Sequence, residues 1–493
     1  RGDDPGRLSR AGAWRSASRA PLPVAQVTYP DEEMPIDAPE QGWAEQDPNL
    51  WWESIIKGFG LLGNKVDLSK IEAIGISYQM HGLVILDKEG KVLRPSIIWC
   101  DSRAVEIGKK AYLQINKEYL NNHLLNSPGN FTASKLKWVK DNQPEVYAKI
   151  GTMMLPGDFI AYKITGQIQT TSGGLSEGIL WDFQEGRVSN ELLQHYGLDE
   201  GFIPEIVPAM GKQAQTSTET AELLGIKEGV SVCYRAGDQP NNAFSLNVLS
   251  PGEVAATAGT SAVIYAVTDQ LAGDQQQRIN TFQHVTSKID KQRNGLLLCI
   301  NGSGISYSWI KRLLGDIDYP TLNELAAPVE IGADGLMFYP FGNGAERLFQ
   351  NQYLGAQFVG LDFNRHDKGH MIRSLQEGVV FSMKYGLEVI EQIGGKVKTI
   401  RAGKANLFLS PLFREAFVNT TEIPLELYDT DGAEGAARGA ALGSGYYSDA
   451  RDAFVDLKLI ERLEPQKEKT KAYKTQYAQW VSYLEKIRLS KTI

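Results

Sequence analysis

Short apolar or β-branched runs alternate with longer amphipathic stretches along most of this chain, and this alternation constrains the fold more than any other feature. Strands that alternate with helices form sheets covered by helices, so the pattern predicts an α/β fold. A chain of 493 residues also exceeds the size at which one hydrophobic core stops growing, and we expect two α/β lobes. The runs lie at residues 71–78, 152–155, 229–233, 253–258, 296–300 and 398–402.

Composition and charge exclude several classes of function. The sequence has no uncharged apolar run of about 18 residues, so a membrane span is excluded. The net charge of -8 argues against an extended nucleic-acid surface, which needs a basic face. Cys100, Cys233 and Cys299 lie far apart without a CxxC pair, which indicates neither a disulfide framework nor a zinc site. We therefore expect a cytoplasmic protein with no nucleic-acid or membrane partner.

The first 26 residues differ in composition from the rest of the chain. They are rich in Arg, Ala, Ser, Gly and Pro, and they contain no Lys, Ile, Phe or Tyr. They show no helical or strand period and no apolar region of a secretory signal. From Val27 onward the composition is that of a folded domain. We expect residues 1–26 to be an atypical N-terminal segment.

Two hairpins are predicted from apolar runs separated by turn residues. The strand at Ile71–Tyr78 continues through Gln79 to Gly82 into a second run, Leu83–Asp87, and we expect these two strands to pair. A second, glycine-framed hairpin covers Gly252–Val267 near the middle of the chain. Its position suggests that a second domain begins near Leu246.

The strand at residues 254–258 ends in Gly259, Thr260 and Ser261 before another apolar run begins. Such a turn can direct backbone N–H groups and two hydroxyls at a phosphate, and glycine permits the close approach. The alternative is an ordinary hairpin with a polar turn. Neither GxxxxGK[ST] nor GxGxxG follows a strand, so those nucleotide-binding folds are disfavoured.

Asp238 stands at the end of one predicted strand and at the start of a helix. A helix N-terminus stabilises negative charge, which would keep this carboxylate ionised and able to accept a proton from a hydroxyl group. The alternative is an N-cap that only starts the helix. The Gly-Thr-Ser turn, about twenty residues further along the chain, favours the functional interpretation.

Further polar residues follow two strands of the first lobe, where ligands of α/β proteins collect. Met80 and His81 follow the first strand, and Trp99, Asp101 and Arg103 follow the second. Imidazole, carboxylate and guanidinium groups can each hold a sugar hydroxyl, and Trp99 can stack on an apolar sugar face. The alternative for His81 is a half-buried turn histidine.

Three other patterns leave two interpretations open. His366 and His370 have the i, i+4 spacing of metal ligands, but the HExxH glutamate is missing, so we expect capping histidines in a loop. The small residues at 401–406 and 432–437 would admit an adenine ring close to the backbone. They would equally allow tight helix packing.

Taken together, these residues resemble the FGGY family of carbohydrate kinases from about Val27 to the C-terminus. Gln79-Met80-His81-Gly82 is most similar to the xylulose kinase branch. The resemblance implies two actin/hexokinase-like lobes of the ribonuclease-H type around a cleft. Residues 27–245 would form the sugar-binding lobe and residues 246–493 the nucleotide-binding lobe.

The resemblance also implies an activity and a set of site residues. The reaction would be ATP-dependent phosphorylation of a ketopentose, D-xylulose to D-xylulose 5-phosphate, with Asp238 as general base and Mg²⁺ as second cofactor. Ribulose, rhamnulose or fuculose kinase is the alternative, and a homodimer stays open. No residue is assigned to the metal. The implied sugar-binding residues are Met80, His81, Trp99, Asp101, Arg103 and Gln239. The implied nucleotide-binding residues are Gly259, Thr260, Ser261, Gly403, Lys404 and Asn406.

One departure from the family pattern lies at the N-terminus. Family members carry a first phosphate loop, Asp-x-Gly-Ser/Thr, between two strands, and here only Gly2 to Gly6 could correspond to it. Our hypothesis is a frame-shifted or misassigned start, which resequencing of the locus would test. A genuine segment of this kind predicts loss of the central hairpin of the first sheet, a destabilised first lobe and severely reduced activity. The chain would then be a non-catalytic sugar- or nucleotide-binding protein.

Overall fold

The computed structural model describes the backbone of residues 10–13 and, with their side chains, residues 25–288, 290–350 and 352–490. Strands and helices alternate in both halves of the chain, which confirms the predicted α/β class. The strands of the first half are β1 (Arg10–Ala13), β2 (Ala25–Thr28), β3 (Glu45–Gln46), β4 (Ala73–Tyr78), β5 (Val84–Leu86), β6 (Ser96–Ile97), β7 (Thr152–Met154), β8 (Gln169–Thr171), β9 (Trp181–Asp182), β10 (Arg187–Val188), β11 (Glu205–Val207), β12 (Met210–Gln215) and β13 (Ser231–Gly237). Its helices are α1 (Pro48–Gly63), α2 (Val105–Gln114), α3 (Lys117–Tyr119), α4 (Thr132–Asn142), α5 (Pro144–Tyr147), α6 (Pro156–Thr165), α7 (Ser172–Glu177), α8 (Asn190–Tyr196), α9 (Thr218–Leu224) and α10 (Asp238–Ser245).

The second half continues the alternation with longer helices. Its strands are β14 (Glu253–Ala258), β15 (Ala262–Thr268), β16 (Asn280–Gln283), β17 (Asn294–Ile300), β18 (Met337–Phe341), β19 (Gly355–Val359), β20 (Thr399–Gly403), β21 (Leu425–Tyr428) and β22 (Leu459–Leu463). Its helices are α11 (Ser303–Leu313), α12 (Tyr319–Ala326), α13 (Lys368–Gly394), α14 (Pro411–Thr421), α15 (Gly432–Ser444) and α16 (Lys467–Ser490). Among these described helices, none is both long and apolar enough to cross a membrane.

The sheet that positions the site in the first half has the order β12-β13-β4. Strands β13 and β4 run parallel, and every residue of β13 is buried, as expected for a strand with both faces covered. Helix α6 packs against β4 and β13 together with residues of α1, which form one hydrophobic cluster. The carboxyl ends of the two parallel strands therefore lie side by side at one edge of the sheet.

Helix α15, from the second half, packs against β4 and β13 of the first half. A Cβ on Gly75 of β4 would lie 2.0 Å from the carbonyl oxygen of Ala436, and one on Gly443 would lie 1.9 Å from that of Cys233. Glycine is needed at both positions because the helix and the strands approach each other too closely for a side chain. The small residues of α15, which include the segment at residues 432–437, thus allow the helix to pack tightly against β4 and β13.

The main sheet of the second half has the order β16-β17-β15-β14-β20-β21-β22. Strands β14 and β15 form the predicted glycine-framed hairpin, while β14 and β20 run parallel. Helix α13 packs against β15 and β17. Ala255, Tyr265 and Phe282 instead belong to a hydrophobic cluster with Met80 and Leu124 of the first half. The two halves therefore share a core.

The predicted pairing of Leu83–Asp87 with the preceding strand is wrong. Strand β5 pairs antiparallel with β7, with Val84 opposite Met154. The chain turns out of the first sheet after β4, where His81 has a left-handed φ of 64° and Leu83 bridges to Ile97. The apolar run was identified correctly, but its partner lies far along the sequence.

Residues 1–26 show no strand period in the sequence, yet strand β1 lies among them. Strand β1 pairs antiparallel with β2, with Ala13 opposite Ala25. These two strands form a two-stranded sheet of their own rather than the centre of the first sheet. The remainder of the N-terminal segment, with the predicted phosphate-loop position at Gly2 to Gly6, lies outside the described residues.

Side chains cap the starts of two helices. Asp47 caps α1 by accepting a hydrogen bond of 2.9 Å from the backbone N–H of Asn49. His370 lies in the first turn of α13, where Asp367 accepts from its backbone N–H, and His366 accepts from the N–H of Asp362. The prediction of capping histidines in a loop is therefore correct in part, because His370 belongs to the capping box of α13 and lies within the helix, whereas His366 lies before it. Among the described residues no group of three or more metal-ligating side chains occurs.

Candidate active site

The first part of the site is formed where β4 and β13 end. Gly237 is paired with Tyr78 in the parallel ladder, so the segment that follows Tyr78 lies next to the segment that follows Gly237. The first segment carries Met80 and His81, and the second begins with Asp238. The sheet thereby brings together residues that are distant in sequence.

Gly237 joins these two segments closely. A Cβ on this residue would lie 2.5 Å from Cγ of Met80 and 2.5 Å from Oε2 of Glu177. Its φ of -58° is accessible to any residue, so the lack of space, rather than the backbone conformation, requires glycine here. Met80 therefore packs directly against the residue that precedes Asp238.

Asp238 is the first residue of α10, with Gly237 as the N-cap. The partial positive charge of a helix N-terminus stabilises a carboxylate at this position. Gln239 donates a hydrogen bond of 3.0 Å from Nε2 to Oδ2 of Asp238. The two residues predicted from this segment are thus in contact with each other.

His81 is held as a neutral imidazole. Its Nδ1 donates to the backbone carbonyl of Glu177 at 3.0 Å, since a carbonyl oxygen can only accept. Burial, with the charge of Lys135 next in importance, lowers the pKa of His81 to about 3. The ring contacts Phe131 edge-on, with centroids 4.7 Å apart, and Phe282 at 5.3 Å. Nε2 is therefore left as the acceptor nitrogen.

Asp101 and Arg103 form a buried ion-pair network. Asp101 accepts from the N–H of Ala44 at 2.6 Å and from the guanidinium of Arg103 at 2.7 Å. Arg103 also contacts Glu45 at 2.7 Å and lies 3.9 Å from the ring of Trp43. Much of the bonding capacity of the Asp101–Arg103 pair is therefore used within the first half.

Trp99 precedes Asp101 in the chain, and Lys135 binds the residue before Trp99. The side chain of Trp99 is 42% exposed. Lys135, which the sequence did not single out, is fully buried and donates to the carbonyl oxygens of His81 at 2.8 Å and Ile98 at 2.9 Å. Burial lowers the pKa of Lys135 to about 7. This lysine links the two predicted sugar-binding segments through their backbones.

The second part of the site is formed where the parallel strands β14 and β20 end. The Gly259–Ser261 turn is anchored on the start of α11, because the N–H of Gly304 donates to the carbonyl of Gly259 at 2.8 Å. A Cβ on Gly259 would lie 3.3 Å from Nδ2 of Asn406, which follows β20. The two segments with predicted nucleotide-binding residues are thus neighbours.

The other predicted nucleotide-binding residues surround this contact. Ser261 donates to Oδ1 of Asn301 at 3.4 Å, and Thr260 is exposed. A Cβ on Gly403 would meet no atom within 4 Å, so the backbone there borders open space. The Nζ of Lys404 lies 3.9 Å from Glu461, near the far edge of the sheet.

A chain of contacts from the second half reaches the first part of the site. Arg347 lies 4.9 Å from the ring of Phe131, which in turn contacts His81. Burial lowers the pKa of Arg347 to about 10. Cys299 of the second half is affected by both halves of the chain. Burial, and then the charge of Glu346, raise the pKa of Cys299, and the charge of Asp238 from the first half raises it further. The two parts of the site therefore lie close to each other.

The sequence patterns did not indicate Glu177, Lys135 or Arg347 as site residues, and they identified Cys299 only as an isolated cysteine. Glu177 closes a short helix in a stretch rich in glycine and serine, without a motif around it. A lone acidic residue in such a stretch is a weak signal. Lys135 lies on an amphipathic helix, where a charged residue predicts an exposed face.

Comparison with known proteins matches both halves of this chain to the same family. Residues 25–245 match the model of the FGGY family of carbohydrate kinases, N-terminal domain, and residues 254–446 match the C-terminal domain of the same family. The xylulose kinase of Staphylococcus xylosus is 27% identical over 422 residues, which cover 83% of this chain and 84% of that protein.

Solved structures share the fold. The xylulose kinase from Rhodospirillum rubrum superposes with a TM-score of 0.86 at 24% identity, covering 96% of this chain and 95% of that one. A gluconate kinase from Lactobacillus acidophilus gives the same TM-score at 21% identity, covering 96% and 94%. The fold is therefore the two-lobed actin/hexokinase-like fold of sugar kinases.

Proposed function

Because this chain belongs to the FGGY family of carbohydrate kinases, we propose that it transfers the γ-phosphoryl group of ATP to D-xylulose, with Asp238 as general base. The relative named xylulose kinase supports this choice of sugar. The observation that carries the proposal is the contact of Met80 with Gly237. It brings the proposed base and the proposed sugar-binding pair to the same strand ends.

The chemistry of each residue suits its proposed role. The carboxylate of Asp238, stabilised by the start of α10, accepts the proton of the attacking hydroxyl group. Neutral His81 accepts a hydrogen bond from another sugar hydroxyl through Nε2, since its Nδ1 is already donating. Gln239 orients Asp238 through their hydrogen bond of 3.0 Å. Trp99, Asp101 and Arg103 complete the proposed sugar site.

The second half supplies the proposed nucleotide site. The Gly259–Ser261 turn lies beside the phosphates, and Gly403 with Lys404 and Asn406 lies beside the adenosine. The open space at Gly403 fits a flat ring against the backbone. When bound, ATP supplies the phosphoryl group and Mg²⁺ spreads its negative charge. A nucleotide-bound Mg²⁺ needs only one or two protein carboxylates, so a dedicated metal cluster is not required.

The test is ADP release measured with purified protein, ATP, Mg²⁺ and D-xylulose. We expect Asp238→Asn to lower kcat by about 10²- to 10⁴-fold, the usual contribution of a general base. The matched control is Asp318→Asn, because Asp318 also stands at a helix start and caps α12 from an exposed position. This control should retain wild-type turnover. An Asp238→Asn enzyme with more than a tenth of wild-type kcat would exclude the base assignment.

A second candidate is a kinase for another ketose. The equal TM-scores of proteins named xylulose kinase and gluconate kinase indicate that the fold does not select the sugar. Relative kcat/KM for D-xylulose, D- and L-ribulose, L-rhamnulose and L-fuculose separates these candidates. Equal values across the panel would exclude a xylulose kinase. A protein that binds sugar without turning over any ketose would be the non-catalytic alternative.

A further inference from the structure

Glu177 is a buried acid at the centre of the first part of the site. It is the last residue of α7 and is 2% exposed. Its backbone carbonyl accepts from Nδ1 of His81, and its Oε2 lies 2.5 Å from the position that a Cβ of Gly237 would occupy. The residue therefore touches both strand ends that carry the proposed sugar-binding residues.

Within the described parts of the chain, one oxygen of this carboxyl group is buried without a hydrogen bond. The hydroxyl of Tyr78 and the backbone N–H of His81 both interact with the carboxyl group, and they lower its pKa against the larger effect of burial. Oε1 has no hydrogen-bond partner among the described residues, although it is shielded from solvent. Burial of an unpaired oxygen is unfavourable, so a ligand hydroxyl that reaches this oxygen would be bound favourably.

The charges around Glu177 favour its neutral form. Burial, and then the charge of Asp238, raise the pKa of Glu177 well above its ordinary value. A neutral carboxyl group can donate one hydrogen bond and accept others, which matches the hydroxyl groups of a sugar. The titratable or charged groups that act on it or are affected by it are Tyr78, His81, Lys135, Asp158, Asp238 and Tyr265.

We propose that Glu177 is a substrate-binding residue whose Oε1 hydrogen-bonds one hydroxyl group of the ketose. This inference rests on the proposed function, because Met80, His81 and Asp238 define where the sugar lies. The unpaired oxygen then receives its partner only in the complex. Glu177 thereby contributes to the choice of sugar, since a ketose without the matching hydroxyl leaves this oxygen unpaired.

Two variants test the contact. Glu177→Met keeps the approximate volume and removes both oxygens, and we expect it to raise KM and the ketose Kd by about 10- to 100-fold. Glu177→Gln keeps a donor and an acceptor, and we expect KM within about threefold of wild type. The ketose Kd is measured calorimetrically without ATP, so that binding is separated from turnover.

The matched control is Glu377→Gln. Glu377 is also a 2% exposed acid, but both of its oxygens have partners, from Arg373 and the N–H of Gly332. We expect this variant to lower the melting temperature and to leave KM unchanged. A merely structural role for Glu177 predicts the same result for Glu177→Met.

Monodeoxy ketopentoses locate the contact even where the Met variant is poorly stable. For the sugar that lacks the contacted hydroxyl, the KM ratio of Glu177→Gln or Glu177→Met to wild type should fall to about one. If wild type turns over D-xylulose, equal KM ratios for every deoxy sugar, or an unchanged KM in both variants, would overturn this inference and leave the proposed function intact. Wild type that neither binds nor phosphorylates any ketose would overturn the proposed function and this inference together.

Discussion

Single residues in this site are fixed by close contacts that leave little room for substitution. Gly237 separates Met80 from Glu177, and both neighbours lie at 2.5 Å from a potential Cβ. Neither contact involves the end of a freely moving side chain, because Met80 is 4% and Glu177 2% exposed. The position of the sugar-binding pair relative to Asp238 therefore depends on the absence of a single methyl group.

We predict that Gly237→Ala lowers kcat/KM for D-xylulose by at least tenfold and the free energy of unfolding by about 1 to 3 kcal/mol, the usual cost of overpacking. Steady-state kinetics and urea denaturation measure the two effects. Gly173→Ala in nearby α7 is the control, since its Cβ would meet no atom closer than 3.8 Å. Equal kinetics for the two variants would contradict this account.

At the scale of secondary-structure elements, a glycine in α15 and a glycine in α1 have opposite effects on stability. Ala is intrinsically better than Gly in a helix by about 1 kcal/mol. At Gly443 of α15, a methyl group would meet the backbone of Cys233 at 1.9 Å. At exposed Gly60 of α1, it would meet no atom within 4 Å.

We predict opposite signs for these two substitutions. Gly443→Ala should lower the free energy of unfolding by about 1 to 3 kcal/mol, because a backbone carbonyl cannot move aside cheaply. Gly60→Ala should raise it by about 0.5 to 1 kcal/mol. Thermal and urea unfolding of both variants measure this difference. Stabilisation by both substitutions would show that α15 does not pack as closely as the structure indicates.

Elements defined by local pattern were predictable from sequence, whereas their partners were not. The strand at residues 73–78 and the β14–β15 hairpin each depend on neighbouring residues, and each was predicted. The pairing of β5 with β7 depends on a turn at His81 with a left-handed backbone, for which histidine is not a signal.

The same distinction applies to the site. Met80 was predicted because it follows a strand, where ligands of α/β proteins collect, and Asp238 because it stands between a strand and a helix near the Gly-Thr-Ser turn. Glu177 reaches the site from a short helix of the first half, and Arg347 reaches it from a 3₁₀-helix of the second half. Their burial follows only from the packed structure, since neither residue lies in a local pattern that indicates it.

At the scale of the whole molecule, two buried histidines couple stability to pH. Burial lowers the pKa of both His81 and His284 to about 3, below the ordinary value of 6.5. Between these values the unfolded chain binds the protons and the folded chain does not, so each histidine makes stability fall as pH decreases below 6.5. Buried acids with raised pKa values, Glu177 among them, act in the opposite direction.

We predict that a His284→Gln variant removes part of this dependence. His284 lies outside the proposed sugar and nucleotide sites, and its Nδ1 is 3.1 Å from the hydroxyl of Tyr265. Between pH 7 and pH 5, wild type should lose about 2 kcal/mol more unfolding free energy than the variant, from about 1.4 kcal/mol per pH unit. Urea denaturation at both pH values provides the comparison, and an identical loss would refute the assignment.

The position of α15 has a consequence for how this protein is made. Strand β13 leaves the ribosome about 200 residues before the helix that covers its second face, and β4 leaves about 350 residues before it, so the interval after β13 is on the order of 10 to 40 s of translation. During that interval, the nascent first half exposes apolar side chains that have no covering element. Its folding can be completed only after α15 has been synthesised, so until then this face is open to chaperones that bind the growing polypeptide.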